Sequence, residues 1–169
     1  MNETKQDLTN LQDLLDRSYA ASGVHLREVI TAERRLSAAA LCAELVGMRL
    51  LVLATVTADG RPIAGPVDGI FHRGSFYFGS SPESVRFKHI NHRPAVSATH
   101  LPGEELAVTV HGTAARIDVG ASEHQGFRQT LLNIYTSRYG AEWENFLNSG
   151  PVYARINATR MLTFSMPAR

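Results

Sequence analysis

Residues 49–78, RLLVLATVTADGRPIAGPVDGIFHRGSFYF, contain three runs rich in Val, Ile, Leu, Phe and Tyr. The first break between these runs is Asp59-Gly60, and the second is His72-Arg73-Gly74. Asp-Gly between extended runs favours a type I′ hairpin turn, because both central positions of that turn need a positive φ. The glycine in the second break is typical of a longer hairpin loop. The sequence therefore predicts a three-stranded antiparallel meander.

The first run of the meander is apolar on both of its faces. Leu51 and Leu53 alternate with Val52, Ala54 and Val56. A strand with one wet face would alternate more strictly between apolar and polar residues, so we expect this strand to be covered on both sides. The meander is thus predicted to form the centre of a barrel.

The rest of the chain adds three strands and several helices. We predict strands at 49–58, 62–72, 75–80, 95–101, 105–118 and 152–165, the last with a kink or bulge near Asn157. Helices are predicted at 5–20, 36–46, 83–91, 121–138 and 141–148. The helical pattern of the second of these begins earlier and covers 31–45. Regular alternation of strand and helix, as in a doubly wound sheet, is absent. The predicted fold is mainly β (α+β), a six-stranded antiparallel barrel with peripheral helices.

Composition limits the class of function. The chain has 169 residues, and 17 basic residues nearly balance 16 acidic ones, so general affinity for nucleic acid or acidic membranes is not expected. Cys42 is the only cysteine, which excludes an intrachain disulfide and a thiolate metal cluster. The N-terminal stretch is polar, and no apolar run approaches the roughly twenty residues that span a bilayer. We therefore expect a cytoplasmic protein with no membrane contact.

Common catalytic motifs are absent from the sequence. It contains no P-loop, GxGxxG, HExxH or GxSxG motif and no cysteine–histidine zinc spacing. His89 and His92 are three residues apart on a predicted helix, but no carboxylate completes a metal site there, so no metal is predicted. No catalytic residue is assigned. His72, His100 and His111 are candidates only because imidazole titrates near neutral pH.

The segment SSPESVRFKHINHR, beginning at Ser80, has the groups that bind a phosphate monoester. It combines serine hydroxyls, a short helix N-terminus, Arg86 and Lys88. Free backbone N–H groups and a guanidinium that holds oxygens in pairs suit a phosphate. The alternative is a solvated basic helix. The position directly after the strand at 76–78 favours the phosphate interpretation, since a ligand there would lie beside the barrel.

A resemblance to a known family rests on four segments in order. LATVTADGRPIAGPVDGIF is followed by GSFYFGSS, by ESVRFKHINHRPAVS and by the closing VYARINATRMLTF. Together they resemble the flavin-binding split β-barrel family related to pyridoxamine 5′-phosphate oxidase, over roughly residues 36–165. The RxVLLK-type signature of the true pyridoxamine phosphate oxidases is missing, so that particular activity is not expected.

The resemblance implies the architecture and the cofactor. Residues 36–169 would form a split-barrel domain, and residues 1–35 would be an N-terminal helical extension. The protein would be a homodimer with a flavin in each of two clefts at the interface. It would be an FMN-dependent oxidoreductase acting on an unidentified small molecule. Relatives use the deazaflavin coenzyme or bind haem instead. The alternatives are therefore a reductase that depends on the deazaflavin coenzyme, and a module that binds flavin or haem without turnover.

The resemblance also implies the residues of the site. Ser84, Arg86 and Lys88 would hold the ribityl phosphate, and the backbone at Gly65 and Pro66 would pass the isoalloxazine ring. The full set of expected cofactor-binding residues is Gly65, Pro66, Val67, Ser80, Ser81, Ser84, Arg86, Lys88, Trp143 and Arg155.

Overall fold

The strands of this protein form a closed antiparallel barrel. The computed structural model describes residues 3–166. The strands are β1 (Met48–Val56), β2 (Pro62–His72), β3 (Ser75–Ser80), β4 (Ala95–His100), β5 (Leu106–Ile117) and β6 (Val152–Ser165). Their order around the barrel is β1-β2-β3-β6-β5-β4, and β1 pairs with β4 to close it. The predicted six-stranded antiparallel barrel, with the meander β1-β2-β3, is therefore confirmed.

Helices surround the barrel and connect its strands. They are α1 (Lys5–Ala20), α2 (Val24–Val29), α3 (Ala38–Glu44), α4 (Val85–His92), α5 (Gln125–Tyr139) and α6 (Trp143–Asn148). The helix predicted at 36–46 is confirmed as α3, but the helical pattern that began at residue 31 does not form one continuous helix. A 3-10 turn at Ala32–Arg34 is followed by extended backbone, and α3 begins only after Ser37, whose Oγ accepts a hydrogen bond from Ala40 N at 3.2 Å. A serine cap of this kind starts a new helix.

The two hairpin turns have the opposite types to those predicted. In the first loop, Thr57 N donates to the Arg61 carbonyl at 3.0 Å, and only Gly60 has a positive φ, of 85°. That is a longer loop with one left-handed glycine, not a type I′ turn. In the second, His72 pairs directly with Ser75, and both Arg73 and Gly74 have positive φ, of 48° and 74°. The type I′ requirement for two positive φ values is met there.

The barrel interior and the N-terminal helix share one hydrophobic core. Leu51, Leu53 and Val67 point inward with the other inner strand residues, and Leu11 and Leu14 of α1 belong to the same buried cluster. A Cβ atom on Gly74 would lie 3.5 Å from Leu11, so α1 packs at the end of the barrel where the β2–β3 turn lies. Burying each of these leucines contributes about 1.5–3 kcal/mol.

The outer surface of the barrel is covered unevenly. Helices α5 and α6 cover the outside of β2, β3 and β6 with a second cluster that includes Phe127, Leu131 and Trp143. On β1 the outward side chains are open, and Leu50 and Val52 are 60% and 54% exposed. Within this chain, the expectation that this strand is covered on both sides is therefore wrong. Within residues 3–166, no helix is long and apolar enough to cross a membrane.

A bulge interrupts the pairing of β5 with β6. His111 pairs with Arg160 but Gly112 pairs with Ala158, so one residue of β6 is extra. A Cβ atom at Gly112 would lie 2.2 Å from the Asn157 carbonyl oxygen, which explains the glycine. The irregularity predicted near Asn157 is confirmed.

Candidate functional site

A pocket of about 510 Å³ lies between the outer face of β2 and β3 and the helices α5 and α6. Pro66 and Asp68 of β2 form one wall, because the side chains of alternate strand residues point outward. Gly79 and Ser80, at the end of β3, and Tyr135 of α5 also line the pocket. A pocket of this volume is in the range of small-molecule and cofactor sites.

Arg86 connects the short helix α4 to this pocket. Ser84 caps α4 by accepting a hydrogen bond from Phe87 N at 3.3 Å, which places Arg86 in the first turn. The Arg86 guanidinium donates to the Pro66 carbonyl at 3.1 Å and to Ser80 Oγ at 3.4 Å. Burial lowers the pKa of Arg86 from its usual value, yet a guanidinium remains cationic at neutral pH. The site therefore has a positioned cation at one end.

Aromatic side chains form the opposite wall. The rings of Tyr135 and Trp143 are stacked, with centroids 4.5 Å apart, and the Tyr135 hydroxyl donates to Asp68 Oδ2 at 3.1 Å. Burial, and then the charge of Asp68, raises the pKa of Tyr135 far above its ordinary value. The same causes raise the pKa of Tyr153 to about 12. Both phenols are therefore protonated at neutral pH and act as flat apolar surfaces with a hydrogen-bond donor.

The structure brings six of the predicted site residues to this pocket. They are Pro66, Val67, Ser80, Ser81, Arg86 and Trp143. Gly65 and Ser84 line a neighbouring pocket of about 180 Å³, which also includes Arg86. A Cβ atom on Gly65 would lie 3.5 Å from the Arg86 guanidinium, so β2 and α4 approach closely at this point.

Two predicted site residues lie elsewhere in the structure. The Lys88 ammonium is 3.7 Å from Glu83, and both side chains are mostly exposed. Arg155 Nε donates to Ser75 Oγ at 3.2 Å and lines a separate pocket beside α1. Within this chain, neither residue joins Arg86.

Sequence analysis missed the side chains that complete the wall. Asp68, Tyr135 and Tyr139 line the pocket but were not assigned to it. Asp68 had a usable signal, because its alternation with the buried Val67 places it on the outer face of β2, the face that carries Pro66.

The three histidines considered as proton carriers are all engaged elsewhere. His72 Nδ1 is 3.1 Å from Thr130 Oγ1, His100 Nδ1 donates to the Leu50 carbonyl at 2.9 Å, and His111 Nδ1 is 2.7 Å from Ser97 Oγ. None of them lines the pocket at Arg86. Within residues 3–166, no group of three metal-ligating side chains is found.

Comparison with known proteins identifies the family. The family model described as pyridoxamine 5′-phosphate oxidase matches residues 39–162. The chain therefore belongs to the pyridoxamine 5′-phosphate oxidase family of split β-barrels. A search of curated proteins finds no match.

Solved structures with the same fold differ in what they bind. A conserved hypothetical protein of Mycobacterium tuberculosis, Rv2991, is 18% identical with a TM-score of 0.65, covering 82% of this chain and 94% of that one. A FAD-binding protein of Mesorhizobium loti is 21% identical (TM-score 0.54; 76% and 92% covered). HutZ, a haem storage protein of Vibrio cholerae, is 18% identical (TM-score 0.55; 69% and 85% covered). At these identities the likeness concerns the fold.

Proposed function

We propose that this protein binds FMN and is a flavin-dependent oxidoreductase acting on a small molecule. The observation that carries the proposal is the position of Arg86, fixed between the Pro66 carbonyl and Ser80 Oγ at the end of an aromatic-walled pocket. An arginine with neighbouring hydroxyls suits a phosphate monoester, and flat aromatic walls suit a conjugated ring. The donor set and the pocket volume thus both fit FMN.

The residues of this chain would divide the binding between them. Arg86, with Ser80 and Ser81, would hold the ribityl phosphate. The backbone at Pro66 would lie along the ring, and Trp143 with Tyr135 would exclude water from it. A bound flavin supplies the electron transfer, and the protein supplies position and electrostatics.

The residues that line the pocket bear on the choice between a flavin and haem. HutZ and a haem-binding protein of Mycobacterium smegmatis share the fold, which keeps a haem-binding module as the second candidate. Haem iron is commonly held by His, Cys, Met or Tyr, and the residues lining this pocket include tyrosines but no His, Cys or Met. The lining therefore supports a flavin more than haem. A deazaflavin coenzyme would use the same phosphate and ring contacts.

We also propose a homodimer in which the partner covers the open side of the pocket. Val52 on β1 pairs with Pro66 on β2, so the exposed apolar face of β1 begins where the pocket wall ends. A second copy related by two-fold symmetry would bury Leu50 and Val52 and narrow both pockets. The cytoplasmic location expected from the sequence remains part of this proposal.

Titration of the purified protein with FMN, the deazaflavin coenzyme and haemin tests the cofactor. We expect FMN fluorescence to be quenched on binding, because the ring would stack on Trp143 or Tyr135. Tighter binding of haemin with a Soret band, and no flavin binding, would overturn the proposal in favour of the haem module.

Light scattering tests the dimer. We expect twice the chain mass of 18.5 kDa for the wild type and a monomer for Val52→Glu. Val24→Glu is the matched control, because Val24 is 64% exposed on α2, away from β1. A wild-type monomer, or equal dissociation in both variants, would contradict the proposed interface.

A further inference from the structure

A second pocket, which we call the three-arginine pocket, lies at the end of the barrel where α1 meets the β2–β3 turn. Its volume is about 430 Å³. Arg17 comes from the last turn of α1, Arg73 from the β2–β3 turn and Arg155 from β6, and Asp7 is the carboxylate in the lining. Three like charges from three separate elements are thus gathered around one space.

In the described part of the chain, no ion pair joins a carboxylate to any of these three arginines. Among residues 3–166 there are three ion pairs, and they join Asp59 to Arg61, Glu83 to Lys88, and Arg128 to Glu144. Arg155 Nε donates a hydrogen bond to Ser75 Oγ at 3.2 Å. Because this bond uses only Nε, the two terminal nitrogens of the guanidinium can donate to another acceptor. Uncompensated like charges repel one another, and an anion between them removes that cost.

Asp7 neutralises only part of the cluster, and its carboxylate is held at the start of α1. Its Oδ2 accepts a hydrogen bond from Thr4 N at 2.9 Å in the capping box of that helix. Burial raises the pKa of Asp7, but the bonds from Thr4 and the charge of Arg73 outweigh it, so the pKa lies below its ordinary value. With Asp7 ionised, the side chains that line the pocket keep an excess of two positive charges, and the Glu3 carboxylate at its edge, which accepts from Arg73 N, reduces the local excess to one.

The backbone around Arg73 is held in place by its turn conformation and by contacts with the N-terminal region. Arg73 occupies a left-handed position, with φ of 48°, in a two-residue turn. The next residue, Gly74, packs against Leu11, and Arg73 N donates to Glu3 Oε1 at 3.2 Å. Asn10, Thr113 and Asn157 add neutral polar groups to the lining. The pocket therefore offers charges and neutral donors on rigid elements.

We propose that the three-arginine pocket binds a small anion with at least two negative charges, such as a polycarboxylate or a phosphate ester. Guanidinium groups bind carboxylate and phosphate oxygens in pairs, so three of them match a ligand with several oxygens. Arg17 and Asp7 lie outside residues 39–162, the part matched by the family model. The site is thus built partly by the N-terminal helix of this chain, and it does not depend on the proposed flavin function.

Isothermal titration calorimetry with citrate and, separately, inorganic pyrophosphate tests the proposal. We expect the wild type to bind at least one of them, and the stronger of the two identifies the ligand chemistry. Arg17→Gln and Arg73→Gln should each weaken binding about five- to tenfold, the loss of a charge-assisted hydrogen bond at an exposed site. Arg61→Gln is the matched control for net charge, because Arg61 lies on the β1–β2 loop and pairs with Asp59. It should change the affinity less than about twofold.

The Arg86→Gln variant shows which of the two pockets produces the calorimetric binding signal. Binding that survives in Arg86→Gln and is lost in Arg17→Gln supports the three-arginine pocket. The proposal is overturned if the wild type binds neither anion, if Arg61→Gln weakens binding as much as Arg17→Gln, or if the signal disappears only in Arg86→Gln. The last result would assign the anion to the pocket of the proposed function.

Discussion

The pocket at Arg86 and the three-arginine pocket hold their cations in different ways. In the pocket at Arg86, a single guanidinium is partly buried and donates to two fixed acceptors beside stacked aromatic rings. In the three-arginine pocket, the guanidiniums are exposed, and the bond from Arg155 to Ser75 is the side-chain anchor. One pocket relies on position and the other on accumulated charge.

This difference has consequences for binding. A charge in a partly desolvated site interacts strongly with a ligand and is screened little by salt, whereas exposed charges lose their effect as ionic strength rises. The pocket at Arg86 should therefore depend strongly on one side chain. The three-arginine pocket should distribute its affinity among several.

The largest expected effect is that of Arg86→Ala on FMN binding. We expect the dissociation constant to rise by about one to two decades, because charge-assisted hydrogen bonds contribute roughly 1.5–3 kcal/mol and a decade is about 1.4 kcal/mol. Fluorescence titration with FMN measures it.

Lys88→Ala is the comparison within the same helix. Its ammonium pairs with Glu83 in solvent, so the loss should be smaller than for Arg86→Ala. If Arg86→Ala binds FMN as tightly as the wild type, α4 is a solvated basic helix and the phosphate lies elsewhere.

The next largest expected effect is a difference in salt dependence between the two pockets. Between about 50 mM and about 500 mM sodium chloride, citrate affinity at the three-arginine pocket should fall about tenfold, and FMN affinity less than about threefold. Calorimetry for citrate and fluorescence for FMN give the two slopes. Equal slopes would mean that the two pockets do not differ in the way the geometry indicates.

The sequence predicted the barrel because its strands carry strong local signals. Their bounds agree with the structure within about two residues, the accuracy of such patterns. The turn types were interchanged, since the first loop is shaped by Thr57, whose Oγ accepts from Arg61 N at 2.9 Å. That side-chain bond favours a longer loop, and the Asp-Gly pair alone does not reveal it.

The sequence predicted only those residues of the candidate site that lie close together along the chain or that the family resemblance implied. Arg86 and Ser80 are six positions apart, and a short helix opening brings them together. Pro66 followed from the resemblance. Tyr135 comes from a helix far along the chain, and its contact with Asp68 spans 67 residues, so no local pattern indicates it. Arg155 was assigned by resemblance, and the pairing of β3 with β6 places it beside Ser75.

A third prediction tests the aromatic wall of the pocket at Arg86. Tyr135→Phe removes the donor to Asp68 Oδ2 but keeps the stacking on Trp143. We expect the free energy of unfolding to fall by about 1 kcal/mol, the net value of one such hydrogen bond. Chemical denaturation measures it. Tyr139→Phe is the control, since Tyr139 is 57% exposed, and an equal loss there would show that the effect does not come from the hydrogen bond to Asp68.

The smallest expected effect concerns His72, the last residue of β2, which directly precedes Arg73 of the three-arginine pocket. Burial, followed by the charge of Arg73, lowers the pKa of His72 below its ordinary value of 6.5, and Arg155 adds to this, while two carboxylates, Glu3 and Asp7, oppose it. Between the lowered pKa and 6.5, the unfolded chain therefore binds more protons than the folded one. The stability of the protein should rise with pH across this window and fall as the pH is lowered through it.

Denaturation of wild type and His72→Gln at about pH 5 and about pH 7.5 isolates this contribution, because glutamine does not titrate. The wild type should lose more stability at the lower pH than His72→Gln does. The control is His25→Gln, an exposed position on α2.

The same measurement in the presence of citrate tests whether an anion binds in the three-arginine pocket. An anion beside Arg73 and Arg155 would offset the charges that lower the pKa of His72, so saturating citrate should reduce the difference between wild type and His72→Gln. If citrate binds and the difference stays the same, the anion does not lie between those two arginines.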